Sequence, residues 1–365
     1  MDQRLHRIEA RGVAVVLDLL IGNIRSFEID AGDKILTPLH TAPWVHEEIN
    51  DPSLPARIRF LSGDFFCAPF SENDITRTQR HGPPANSEWR PCGNVERRDG
   101  ATVARYELVA RIEGATLVKE LTLRDGHPFL YQRHIFTGGH GRVPVSNHAM
   151  AWFGSAGGAL SFSEKWFGEL PASLQEPDPA RGRSIFERNV RFHDVTRMPL
   201  ADGASADLRH YPIADKHEDF VTLVEKPGNM LGWTSALRSD VGDLTLSLKN
   251  PTELPVTCLW YSNGGRYYAP WNGRHVGVLG IEEGRSYLNA GHKASIASNP
   301  HATMGIPTAL DLSPGGSVSV RHVLAGVQAN GWRRVRNVIA QGESLCLQAD
   351  DGASIRVPFD GLFLK

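Results

Sequence analysis

Cysteine is scarce in this sequence: Cys67, Cys92, Cys258 and Cys346 are scattered over 365 residues, with no CxxC pair. Neither a disulfide scaffold nor a zinc site is expected from that spacing. Long apolar runs are missing as well. Nothing approaches the roughly 18 uninterrupted apolar residues that a membrane helix needs, and the run at 13–21 is broken by Asp18. The polar start, Met1-Asp2-Gln3-Arg4, lacks the order of a signal peptide, which is basic start, apolar stretch, small-residue cleavage site. A cytoplasmic protein without a membrane partner is expected. Charge of one sign is also lacking. The 39 Lys+Arg and 41 Asp+Glu leave a net charge of −2, so no basic field exists to attract a nucleic acid.

Several chemical signatures are absent too. There is no HExxH, no two-His-one-carboxylate spacing and no Cys/His cluster, so no metal is expected. Neither GxGxxG nor GxxxxGK[ST] occurs, which removes nucleotide cradles, and no GxSxG marks a hydrolase nucleophile. No cofactor is expected.

What is abundant is punctuation. The 36 glycines and 23 prolines fall along the whole chain and leave little room for long helices. Between them, alternating or β-branched runs recur at 102–111, 116–123, 128–136, 219–225, 243–248, 256–261, 277–281 and 317–324. Apolar positions alternating with charged ones indicate sheets with one wet face, hence mainly antiparallel pairing. A length prior of roughly 150 residues per domain suggests two domains. Strand patterns of one character on both sides of the Pro-rich stretch 168–183 argue instead for a crossover loop within one unit. The expectation is a single all-β domain over 1–365, with 329–365 as an appended hairpin closing the sheet.

Three segments could carry chemistry. In Gln79-Arg80-His81-Gly82-Pro83-Pro84 a histidine stands before a glycine and a rigid Pro-Pro turn, which can present it from a fixed loop. A loop histidine bonded to a carbonyl would read the same. His148 lies between Asn147 and the apolar stretch Ala149-Met150-Ala151-Trp152-Phe153. A ring entering such a strand is either satisfied in the core or faces a cavity. Glu282-Glu283 ends the apolar strand Val278-Leu279-Gly280-Ile281, where neighbouring apolar surface would raise a carboxyl from its usual value of about 4.3. A solvated turn is the alternative.

Taken in order, these segments resemble the aldose 1-epimerase (galactose mutarotase) family. Its signposts are an early His-Gly, a mid-chain Asn-His with aromatics, and a late strand ending in Leu/Ile-Glu. The stretch Pro69-Phe70-Ser71-Glu72-Asn73-Asp74-Ile75 is similar to its Pro-Phe…Asn-Arg-Ile loop, and Leu312-Ser313-Pro314-Gly315-Gly316 to its late Leu-x-Pro-Gly turn. The likeness covers 10–328. It implies a large antiparallel β-supersandwich with little helix and a sugar site on a concave sheet face. It also implies acid–base interconversion of the anomers of a hexose or hexose derivative. By position Glu282 would be the base and His148 the acid, with His81 orienting the ring oxygen or a neighbouring hydroxyl. Glu283 is the fallback if the register is off by one.

Substrate contacts are expected from Asn73 and Asn147 within the matched motifs, and from Asp219 as the family's late aspartate. Among Trp152, Trp233, Trp260 and Trp271, Trp152 is expected to cover the sugar's apolar face. Tyr267-Tyr268-Ala269-Pro270-Trp271 would form a rim. The family's loop arginine is Asp74 here, and Arg77 or Arg80 could replace it. An anionic substrate would call on Arg59, Arg77, Arg80 or Arg90. These departures leave open a non-catalytic carbohydrate-binding or sensing protein on the same fold. The partner expected is a small-molecule sugar, and the chain a monomer or homodimer.

Overall fold

The computed structural model describes residues 4–49 and 51–365, so Met1–Gln3 of the polar start lie outside the described residues. Two large antiparallel sheets pack face to face. The first has eleven strands, whose central members in spatial order are Asp64–Cys67, Val145–Trp152, Val278–Arg285, Val256–Asn263 and His217–Glu225. The second has ten, with Gly232–Arg238, Asp243–Lys249, Ser317–Gln328, Phe129–Thr137 and Thr116–Arg124 at its centre. The chain is thus an all-β antiparallel supersandwich, and its helices are single turns such as Ala56–Arg59 and His292–Ile296. No helix among the described residues is long and apolar enough to cross a membrane.

Alternation explains the layering. Along Phe129–Thr137, Leu130 points into the core between the sheets, while Phe129 and Tyr131 point outward. That outward face is not wet. It is covered by a third sheet of Val335–Gln341, Ser344–Ala349 and Ser354–Pro358, whose Val335, Leu345 and Leu347 pack onto it together with Phe359, just after the last strand. The C-terminal segment is therefore a three-stranded sheet lying on the sandwich, not a hairpin continuing it. Two of its strands, Ser344–Ala349 and Ser354–Pro358, are the expected hairpin; Val335–Gln341 went unread because a register shift between Val335 and Asn337 breaks its alternation.

Two other expectations need correction. Glu282 and Glu283 do not close a strand, since pairing continues to Arg285. They therefore face opposite sides of the sheet. Residues 168–170 of the expected loop belong to the strand Lys165–Leu170, and the remainder turns back over the first sheet.

The inner layer is partly ionic. Lys249 meets Glu283 at 2.5 Å, donates to Thr257 Oγ1 at 2.8 Å and to the Val256 carbonyl at 2.7 Å, and stands 3.3 Å from Glu225. Lys165 also pairs with Glu225. All four side chains are buried, a costly arrangement unless every charge is matched.

Candidate active site

On the outer face of the first sheet, four neighbouring strands bring Phe65, His148, Glu282 and Trp260 side by side. Register does this. Phe65 pairs with His148, Ala149 with Ile281 and Ser146 with Gly284, which sets His148 across from Glu282. Cys258 pairs with Glu282 on the other side, and Trp260 with Gly280. Gly280 leaves the space between Trp260 and Glu282 open. A Cβ on it would stand 3.0 Å from Trp260 Cβ and 3.2 Å from Glu282 Oε1.

These residues floor a cavity of about 430 Å³, within the range of small-molecule sites. One wall is the turn Ala56–Arg59 with Leu54 and Leu61, another the Phe70, Arg80 and His81 loop. Gln175 and Glu176 come from the loop after Leu170, and Arg266 with Tyr268–Trp271 completes the rim. Of the stretch expected to form a rim, Tyr268, Ala269, Pro270 and Trp271 line the cavity and Tyr267 does not.

His148 is 4% exposed and Glu282 2%, and their Nε2 and Oε1 atoms are 3.2 Å apart. The imidazole stacks on Phe65 at 4.3 Å and meets the Trp260 ring edge-on at 5.6 Å. Its own amide donates to Asp64 Oδ1 at 3.1 Å, which ties the strand to its neighbour behind the ring. Burial dominates both pKa values. It pushes the Glu282 carboxyl up to about 8, with Arg80 pulling the other way, and pushes His148 down to about 3. At neutral pH the pair therefore holds one proton, on the carboxyl. Glu282 Oε2 and His148 Nδ1 are buried without a partner in the protein.

His81 sits at φ 66, a left-handed conformation that is strained for a non-glycine residue. The following Gly82 is obligatory, because a Cβ there would lie 2.1 Å from the Ala68 carbonyl oxygen. The turn brings the His81 ring to 5.5 Å from His148, edge to face. Its Nδ1 accepts the Ser71 amide over a long 3.4 Å contact, which leaves Nε2 to carry the proton. Burial and nearby Arg80 hold His81 neutral, well below the usual histidine range.

Around this centre lie charged groups that local patterns did not mark. Arg266 donates to Glu176 Oε1 at 2.5 Å and stands 3.4 Å from Glu218 Oε1, its guanidinium 4.6 Å above Trp271. Glu218, pushed up by burial to about 7, accepts Trp260 Nε1 at 2.6 Å and Ser262 Oγ at 3.0 Å. Arg57 comes from the short turn Ala56–Arg59 and was not read from the sequence. Nothing local could mark Arg57 or Glu176, since each enters by a loop whose path is set elsewhere. Arg266, beside the aromatic rim, carried at least a positional hint.

The other expected contacts fall elsewhere. Asn147, one residue from His148, faces the interior between the sheets, as period-two alternation requires. Glu283 faces the same interior and accepts Thr257 Oγ1 at 2.7 Å beside Lys249. Asn73 donates to Thr78 within its own loop. Arg77 is exposed at φ 53, and neither Arg59 nor Arg90 lines the cavity. Asp74, where the family has an arginine, accepts the Lys293 amide at 2.9 Å. Asp219 accepts the Ile185 and Phe186 amides at 3.0 and 3.1 Å and pairs with His217 at 2.8 Å, organising the loop next to the site. Trp152 lies at the far end of its strand, 40% exposed with Arg238 over its ring at 5.3 Å. Trp260 and Trp271 are the tryptophans that line the cavity.

A larger groove of about 1010 Å³ opens beside the C-terminal sheet around Trp233, Leu231 and Leu362, with no histidine in its lining. Among the described residues no cluster of three or more His, Cys, Asp or Glu is placed to hold a metal ion.

No protein-family model matches this sequence, and no curated protein matches it significantly. Solved structures do resemble it. A protein of Escherichia coli K12 proposed to be an aldose 1-epimerase aligns with 10% identity and a TM-score of 0.56, over 89% of this chain and 99% of its own. A galactose mutarotase related enzyme of Lactobacillus acidophilus gives 11% identity and 0.51, over 90% and 99%. A protein of Synechocystis sp. PCC 6803 gives 13% and 0.55, over 89% and 96%. At such identities the likeness is one of fold, and the fold of this chain is that of the galactose mutarotase-like β-supersandwich proteins.

Proposed function

We propose that the cavity binds an aldose and that Glu282 and His148 interconvert its anomers by opening and reclosing the ring. The observation that carries this is the buried carboxyl–imidazole contact of 3.2 Å on the floor of a tryptophan-lined cavity. The anomeric hydroxyl and the ring oxygen share one carbon, so one close acid–base pair can serve both. Opening the ring moves a proton off the hydroxyl and another onto the ring oxygen. Burial leaves the resting proton on Glu282 and His148 neutral. In the first half-reaction His148 is then the acceptor and Glu282 the donor, the reverse of the roles expected from the sequence. After rotation about C1–C2 the same groups act in exchanged roles, and the ring closes on the other face. His81, neutral and with Nε2 as its donor, is suited to hold the ring oxygen or a neighbouring hydroxyl. Positioned acid–base help of this kind is worth roughly 10²–10⁴-fold.

The fold neighbours support a carbohydrate-related enzyme at the level of fold. In this reading the ligand is a small sugar, the protein works in the cytoplasm without nucleic-acid or membrane partners, and 1–365 is one domain. The test is magnetisation exchange by NMR between α and β anomers over a panel of free hexoses. Exchange above the spontaneous rate for one sugar supports the reading. Line broadening without faster exchange would instead indicate a binding protein.

A further inference from the structure

Three arginines and two glutamates line the cavity, and their partners are unequal. Arg266 is matched by Glu176 and Glu218. Arg80 is matched by Glu72 at 3.1 Å and donates to Ser71 Oγ at 3.0 Å. Arg57 has no ion pair or hydrogen bond among the described residues, and its Nη1 is buried with no partner. Glu282 carries a proton at neutral pH and does not compensate it. A half-buried guanidinium beside a second one, with no carboxylate of its own, is an unfavourable arrangement for an empty site. Burial and Arg80 together push Arg57 down to about 10. An anion that enters this cavity would relieve both effects.

Resting on the proposed reaction for its sugar but not for its charge, we infer that the ligand carries an anionic group, a phosphate ester or a carboxylate, that Arg57 binds with Arg80 alongside. The planar fork of arginine suits either group through paired N–H donors. The sequence pointed to Arg59, Arg77, Arg80 and Arg90 for such a role; of these only Arg80 is in the cavity.

The test uses sugars that cannot change anomer, so that binding is read apart from catalysis. Isothermal titration would compare 1,5-anhydroglucitol with its 6-phosphate and with the matching 6-carboxylate, for wild type, Arg57→Gln and Arg57→Lys. The expected result is tighter binding of at least one anionic form by wild type, by about 10- to 100-fold. Arg57→Gln should collapse that ratio and Arg57→Lys restore part of it. Raising salt should weaken the anionic ligand much more than the neutral one in wild type, a readout independent of how the variants fold. Whichever anion is favoured identifies the group. Equal affinities for all three sugars, or a ratio that survives Arg57→Gln, would overturn the inference. Arg57-dependent anion binding without faster anomer exchange on any sugar would remove the isomerase reading and leave the anion site standing.

Discussion

Burial works against the charge of the Glu282 carboxyl, and stability should follow its titration. Its folded pKa of about 8 exceeds the ordinary 4.5, so its contribution to stability is fully present below pH 4.5 and is lost as pH rises towards 8. Glu282→Gln has no such loss. The variant should be more thermally stable than wild type at pH 8, and less so by comparison at pH 5, in melting curves followed by circular dichroism. In the wild type, kcat/KM for anomer exchange should fall above about pH 8, as the pair loses its shared proton. A flat profile from pH 7 to 9.5 would count against a protonated Glu282 in the reaction. Gly280 offers a steric test. Gly280→Ala pushes a methyl against Trp260 and Glu282 Oε1, and should lower kcat/KM by about tenfold or more with little change in melting temperature. These residues differ in how legible they were. His81, His148 and Glu282 could be placed on one ligand site by motif order, because the family resemblance spans all three. Glu283 and Asn147 were misplaced because a one-residue step in a strand reverses the face, and short motifs do not fix which residue of a pair points outward.

Among elements, the strands with clean alternation were read within a few residues of their true ends, as with Ala101–Leu108 and Thr116–Arg124. Strands buried on both faces carry no alternation to read. His217–Glu225 is buried throughout, and its early residues were missed because His217 and Glu218 look like turn residues until their partners are known. The buried ionic layer was equally hidden, since its four charges come from separate strands. Burial alone would raise Glu225, but Lys165 and Lys249 outweigh it and hold the carboxyl at about 2 instead of 4.5. That stabilisation is present above pH 4.5 and is lost as pH falls towards 2. Lys249→Met leaves Glu283 buried with its main partner gone and should cost about 3–5 kcal/mol in urea unfolding. A cost under 1 kcal/mol would mean that the interior is wetter than the packing indicates.

At the scale of the molecule, the sandwich supplies the floor of the cavity and the loops supply its walls. His148 and Glu282, the proposed acid–base pair, stand on two hydrogen-bonded central strands, where register fixes the separation. The walls come from the turn Ala56–Arg59, the loop carrying Glu176, and Arg266 with the rim at Tyr268–Trp271. The fold class was legible because glycine and proline spacing and alternation are global properties. Arg57, Glu176 and Arg266 were not, because loop paths depend on contacts distant in sequence, such as Arg266 with Glu176. The C-terminal sheet buries Phe129, Tyr131 and Trp233 of the second sheet, so the one-domain proposal predicts a single cooperative melting transition. Two separate transitions would divide the chain near residue 329. The most direct test of the whole account is the anomer-exchange rate of wild type against Glu282→Gln, measured by NMR on the sugar that wild type turns over fastest. The account predicts exchange well above the spontaneous rate in wild type and a fall of about 10²-fold or more in the variant. Equal rates for the two proteins, with the variant folded and still binding sugar, would contradict it.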